Sequence, residues 1–417
     1  MIDLKKYNSR ILVLVLRVLT IGVRFLFNLL IIKDLSLEEY GTYAIFYTSI
    51  SLSVITIGLD YYSYNTREIL KASKIDQRRL IGDQLILHLF TYLVFIPSSF
   101  VILNNFIPLN YLFVFYLILV FEHLSQEAYR LFIAYSMPIF ANFIQFIKMA
   151  MWCVIVIGIS FFRIDTIDIN LESIFNIWLT FVFLSVIISG LFIWRKNLVF
   201  FEISRSTFNR ISNGVKVSFL FFISTMLFKC IEFSSRYFLD YFTTKAEVAI
   251  FTFFSNISNL IYVTVHSTSI VIIYPQLIKT FNSDNSDQFN MLRKRFLKEI
   301  LIISWLVFFI ILIFTPYLLE IIEKEALQAN FDVLVVLLIG MMFFIFSYYP
   351  HYMLYLQGRD KSLLASSVIA AFTTIILNYF LTKKYGIYGS SYATTLGFMT
   401  LFFVKFAFLK KDPKKKN

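Results

Sequence analysis

Charge is scarce in this sequence, and so are the residue types that usually build a soluble active site. Only 15% of its 417 residues are Asp, Glu, Lys or Arg, against about 25% in soluble domains. There are four histidines and two cysteines. Cys153 and Cys230 each fall in an apolar run with no second cysteine close by, which predicts buried thiols, not a metal pair. His88, His123, His266 and His351 never recur at i, i+3 or i+4, so no zinc or other metal is expected; His88 and His266 stand as minor transport candidates. No GxxxxGK[ST] stretch occurs, and no loop between apolar segments reaches the ~50 residues of a small domain. An ATP-driven pump in one chain is thereby excluded, and no cofactor is expected.

What is present in excess is apolar. Hydrophobic residues make up 59% of the chain, including 50 Phe, and the mean hydropathy is +0.74. One aqueous core cannot absorb this much, because cores stop growing and chains divide into domains. A lipid bilayer can. Windows of ~20 apolar residues predict twelve transmembrane helices: 11–32, 41–63, 82–103, 111–134, 139–161 and 174–194, then 215–241, 248–273, 299–321, 331–356, 362–381 and 388–409. Lys5, Lys6 and Arg10 precede the first of these, but Arg17 and Arg24 interrupt it and no small-residue cleavage pattern follows, so it is read as a retained helix.

The cations orient the chain. With the N-terminus in the cytoplasm, 26 of the 38 Lys and Arg residues fall inside and 6 outside, with 6 within spans; Lys and Arg favour the cytoplasmic side. Both termini are therefore expected inside, with Lys33, Arg163, Lys245, Lys324, Lys383 and Lys384 outside. Spread over seven cytoplasmic segments, the +12 net charge does not form a nucleic-acid surface.

The chain echoes itself. Ser36-Leu37-Glu38-Glu39-Tyr40-Gly41-Thr42-Tyr43 joins the first two spans; Thr244-Lys245-Ala246-Glu247-Val248-Ala249-Ile250-Phe251 joins the seventh and eighth. Hydroxyl, Glu, small residue and aromatic agree in register. The expected fold is an all-α membrane protein of two six-helix lobes, 1–200 and 211–409, with a cytoplasmic connector at 201–210, a basic tail at 410–417, and a central cavity, as in parallel-repeat transporters.

Several spans carry polar stripes at helical spacing. These are Arg17, Thr20, Arg24 and Asn28; Ser49, Ser53, Thr56 and Asp60; Glu122, His123, Gln126, Glu127 and Arg130; Asn142, Gln145 and Lys148; and Lys229, Glu232, Arg236 and Asp240. A mid-bilayer Lys or Arg facing lipid costs roughly 2.5–3.5 kcal/mol on insertion scales, so the stripes are expected to face a hydrated path. Some have a plainer reading: Lys229 to Asp240 can neutralise itself along one helix, Glu127 can pair with Arg130, and Arg130 and Lys405 can snorkel to the headgroups. Arg17 and Arg24 have no acid on their own span, and with Lys148 they are expected to leave unpaired positive charge. That suits an anionic substrate, a diphosphate above all, since Arg binds phosphate oxygens bidentately. Arg17, Arg24, Asn28, Gln145, Lys148, Lys229 and Arg236 are the candidate substrate-binding residues; Asp60, Asp83, Glu127 and Glu232 are the candidate proton- or cation-coupling residues.

Three segments resemble the multidrug/oligosaccharidyl-lipid/polysaccharide exporter superfamily, and within it the Wzx flippases of O-antigen and capsule repeat units. They are Leu35 to Tyr43; Ile57-Gly58-Leu59-Asp60 with Thr66-Arg67-Glu68-Ile69; and Asn378 to Thr394, which contains Tyr385-Gly386-Ile387-Tyr388-Gly389-Ser390-Ser391-Tyr392-Ala393-Thr394. Val248-Ala249-Ile250-Phe251 lacks the glycine that family carries in the second-half loop. The resemblance implies a V-shaped pair of lobes that alternate access and move undecaprenyl-diphosphate-linked oligosaccharides across the bacterial inner membrane. Its implied partners are the lipid-linked anionic oligosaccharide, the bilayer, and a polysaccharide polymerase and glycosyltransferases of the same pathway. Twelve spans differ from the fourteen usual in the superfamily's peptidoglycan-precursor flippases. A cation-coupled multidrug exporter of this fold and a membrane glycosyltransferase or polymerase remain as alternatives.

Overall fold

The computed structural model describes residues 4–162, 168–283 and 286–411, with side chains from residue 11 onward. Arg163, the tail lysines Lys414, Lys415 and Lys416, and the side chains of Lys5, Lys6 and Arg10 lie outside the described residues. Among those described, the fold is all-helical, α-helices interrupted by π-helical turns at Ile147–Met151, His266–Ile270 and Asn378–Thr382. The helices are α1 (Leu4–Asp34), α2 (Leu37–Gly58), α3 (Tyr62–Lys71), α4 (Lys74–Leu103), α5 (Leu109–Ala134), α6 (Pro138–Phe162), α7 (Leu171–Arg195) and α8 (Arg205–Phe242). They continue with α9 (Lys245–Phe281), α10 (Ser286–Ile322), α11 (Phe331–Leu356), α12 (Asp360–Leu377) and α13 (Lys383–Lys410), with a five-residue turn of helix at Glu325–Ala329.

Among the described residues, eleven helical stretches are long and apolar enough to cross a membrane, and the chain is a multi-pass membrane protein. The last stretch, Asp360–Lys410, has 51 residues, which as one rod would run about 76 Å, more than twice the hydrocarbon thickness. It is not one rod. Gly386 sits within α13 at φ 54°, ψ −131°, a conformation that only glycine adopts without strain, and breaks that helix, so that α13 folds back against α12.

Local chemistry fixes the helix starts. Ser36 caps α2: its Oγ accepts from the Glu39 amide, and the Glu39 carboxylate accepts from the Ser36 amide at 2.9 Å. Thr244 caps α9 by accepting from the Glu247 amide. The echo between the two halves of the sequence is therefore a pair of N-caps, each opening the second long helix of its half. In α10, Leu292, Phe296, Ile300, Ser304, Phe308, Ile311, Thr315, Leu319 and Ile322 are buried. Their steps of three and four define one inward face; Ile302, Trp305, Phe309, Ile313 and Phe314 on the other face are exposed, as suits acyl chains.

Two compact units emerge from the contacts, Met1–Met226 and Leu227–Asn417. The division falls inside α8, the helix that the sequence places at the head of the second lobe. Its first turns pack on the first unit, where Ile211 joins Tyr61 and Leu87. In the second unit, Ser235 of α8 bonds to Asn378 (3.0 Å) and Thr394 (2.7 Å).

Candidate functional site

In the first unit the inward faces of α1, α2, α5, α6 and α7 build an aromatic wall. Phe46 stacks on Phe175 at 3.9 Å, and Trp152 on Trp178 at 5.3 Å. Arg24 of α1 lies against this wall, its Cζ 4.3 Å from the Tyr47 ring centre and 5.2 Å from that of Trp152. Guanidinium is planar and weakly hydrated, so ring faces hold it well. Among the described residues no carboxylate lies within ion-pair distance of Arg24. Two further polar atoms of the wall, Tyr43 Oη and Trp152 Nε1, are buried without a hydrogen-bond partner. Buried orphans of this kind are rare and call for water or a ligand.

Lys148 sits in a π-helical turn, Ile147–Met151, inserted in α6. It corrects the expectation of an unpaired cation. Its Nζ lies 3.0 Å from Glu122 Oε2 and donates to Gln126 Oε1 at 2.8 Å; Glu122 Oε1 also accepts from Trp178 Nε1 at 2.8 Å. Lys148 is 4% exposed and Glu122 12%, so this is a buried, hydrogen-bonded ion pair. The surplus positive charge on this wall belongs to Arg24.

The other candidates divide. Arg17 is exposed and donates to Asn142 Oδ1 at 2.9 Å, away from the aromatic wall. Asn28 is half-buried and its carbonyl accepts from Tyr40 Oη. Gln145 turns its amide toward Met149 Sδ, which leaves its Oε1 buried and unpartnered. Asp83 is clamped by Arg210 of α8 through Nε (2.6 Å) and Nη2 (3.2 Å). Asp60 follows the end of α2, where Leu59 and Asp60 both take left-handed backbone angles (φ 49° and 47°); it is buried and its Oδ2 has no partner.

Glu127 joins a polar cluster that spacing along the chain conceals. It accepts from Arg130 and from Gln84 Nε2, both at 2.5 Å. His88 of α4 and His123 of α5 pack edge to face at 4.5 Å, each with Nε2 3.9 Å from a Glu127 oxygen. Spacing along the chain gives no sign of this meeting: the two histidines are 35 residues apart but belong to two helices whose side chains meet. α2 comes so near that a Cβ on Gly58 would lie 3.3 Å from His123 Nε2.

In the second unit, Lys229 pairs with Glu232 (2.6 Å), Asp240 with Lys245 (2.6 Å), and buried Arg236 donates to Thr252. Lys405 does not snorkel. It is 7% exposed, with Nζ 3.5 Å from Ser347 Oγ.

An all-helical, MATE-like membrane fold is what these elements define, and comparison with solved structures places it further. An inward-facing multidrug-resistance MATE family transporter of the MOP superfamily matches with a TM-score of 0.74 at 15% identity, over 94% of each chain. The lipid II flippase MurJ in an inward closed conformation matches with a TM-score of 0.74 at 13% identity, over 97% of this chain and 88% of that one. The Vibrio cholerae MATE transporter VcmN matches at 0.56 and 14%, over 97% and 98%. No protein-family description matches the sequence, and no curated protein does.

Proposed function

We propose that this protein is a flippase that carries undecaprenyl-diphosphate-linked oligosaccharide repeat units across the bacterial inner membrane for O-antigen or capsule synthesis, with both termini cytoplasmic and two six-helix lobes alternating access. One observation carries the reading. Arg24 presents a guanidinium on an aromatic wall, with no carboxylate consuming its donors and with orphaned Tyr43 Oη and Trp152 Nε1 in the same wall. A diphosphate supplies the acceptors these groups lack, and the flat rings suit sugar faces. Lys148 supports the wall through Glu122 and does not itself add net charge. Likeness of fold to a lipid II flippase agrees with a lipid-linked substrate, and the polymerase and glycosyltransferases that make and use such a substrate are its expected partners.

The test is surface polysaccharide on intact cells after gene deletion and complementation. Wild type should restore polymer and Arg24→Ala should not, at equal protein level; polymer unaltered by the deletion removes the reading. A second reading, a cation-coupled multidrug exporter, draws on the fold of the MATE transporters and on Glu122 beside Trp152 and Trp178, chemistry that an organic cation could use. Arg24 already occupies that face, which weighs against it; dye efflux on overexpression would favour it.

A further inference from the structure

We propose that His88, His123 and Glu127 form a binding site for a divalent transition metal, zinc by donor type, inside the first unit. The three side chains lie with one ligand atom each within 4.8 Å of one another. His88 is 1% exposed, His123 0% and Glu127 9%. Four-coordinate zinc with N and O ligands at ~2.0–2.2 Å has ligand atoms about 3.3 Å apart. His88 Nε2 stands 3.9 Å from Glu127 Oε2, about half an ångström beyond that spacing, and since no pair of ligand atoms in the trio exceeds 4.8 Å, side-chain rotations that close up to about 1.5 Å complete the set.

The surroundings resemble those of a prepared site. His123 Nε2 is buried with no hydrogen-bond partner, while its Nδ1 lies 2.6 Å from Tyr92 Oη. With Nδ1–H donating to the tyrosine oxygen, the Nε2 lone pair is left facing the cluster, the second-shell arrangement that orients metal-bound histidines. Glu127 Oε1 is held by Arg130, which fixes the carboxylate and leaves Oε2 to turn from the Gln84 amide toward a cation. Arg130 is in turn steadied on the Tyr62 ring, 3.6 Å from its centre. Asn65, itself fully buried, donates to Gln84 Oε1 at 2.5 Å. A cleft of about 230 Å³ with largely aliphatic walls reaches Gln84, His88 and Glu127, though not His123, and leaves room for a water as the fourth ligand. Two imidazoles and one carboxylate are a donor set suited to zinc rather than to calcium or magnesium, which take oxygen ligands.

The test uses tag-free, full-length protein in detergent, stripped with chelator, dialysed against zinc and measured for bound metal by mass spectrometry. Wild type should retain one zinc per chain, and cobalt in its place should give the visible absorption of a tetrahedral site. His88→Ala and His123→Ala should each lose the metal, and Tyr92→Phe should weaken binding about tenfold. Monodisperse wild type that retains no zinc, or that retains as much as the His88→Ala/His123→Ala double variant, overturns the proposal. Because wild type alone can fail the test, misfolding of a variant does not shield it.

Discussion

Glu122→Gln isolates a single charge. Gln keeps an oxygen for Trp178 Nε1 but leaves the buried Lys148 ammonium with Gln126 alone. At the observed 3.0 Å the lost Coulomb attraction is about 5.5 kcal/mol at an effective dielectric of 20. Breaking a buried pair by removing one partner costs about 3–5 kcal/mol in practice. For a domain the size of the first unit, each kcal/mol moves Tm by roughly 2–4 °C, so the expected drop is about 6–20 °C. Thermal unfolding in detergent, followed by tryptophan fluorescence, reads this directly, because Trp152 and Trp178 report from the same wall. Lys148→Met in the Glu122→Gln background should recover most of the loss, since an apolar replacement of a buried pair is close to neutral. A single variant as stable as wild type, or a double variant no better than the single, would refute the view of Lys148 as a structural partner and return it to the pool of free cations.

Further outcomes follow from other contacts. Arg24→Ala should lower surface polymer at least tenfold, consistent with about 1.5–3 kcal/mol for hydrogen bonds to a charged group, and Arg24→Lys should recover only part; normal polymer in both, at equal expression, removes Arg24 from the site. Asp83→Asn should destabilise the protein by about 1–3 kcal/mol, seen as a lower Tm. If it leaves Tm unchanged and abolishes transport, Asp83 is a coupling residue and not an anchor. Gly386→Ala should cost more than about 1 kcal/mol, because its φ is positive and the new Cβ would lie 2.8 Å from Glu247 Oε2; an unchanged Tm would contradict that backbone. Ser36→Ala should lose about 1 kcal/mol of capping, and Ser36→Asp should restore it.

Hydropathy locates the membrane-buried parts of this chain well, because twenty apolar residues in a row have few other fates. It misplaces helix ends. The span expected over 299–321 lies within a helix that runs from Ser286 to Ile322, and that over 82–103 within one that begins at Lys74. Both helices begin with polar turns that an apolar window does not see, and Ser73 caps the one that starts at Lys74. The same blindness hides α3, ten largely polar residues after the left-handed pair Leu59–Asp60. At the site, Arg24 was legible because a cation on an acid-free span is conspicuous within its own helix. Its aromatic seat was not, since Tyr47, Trp152 and Trp178 come from three other helices. Lys148 and Glu122, and His88 and His123, pair across helices, and periodicity along one helix carries no information about its neighbours.

The clamp between Asp83 and Arg210 also orders events in time. The two residues are 127 positions apart, so at ~5–20 residues per second the ribosome needs roughly 6–25 s after making the aspartate to deliver its counter-ion. During that interval three further helices, α5, α6 and α7, enter the bilayer while a carboxylate at the foot of α4 waits for its mate. The N-terminal bundle cannot reach its final packing until the eighth helix has emerged. A nascent chain halted while residue 210 is still inside the ribosome should therefore remain sensitive to membrane-embedded proteases, and one halted after the eighth helix has emerged should not.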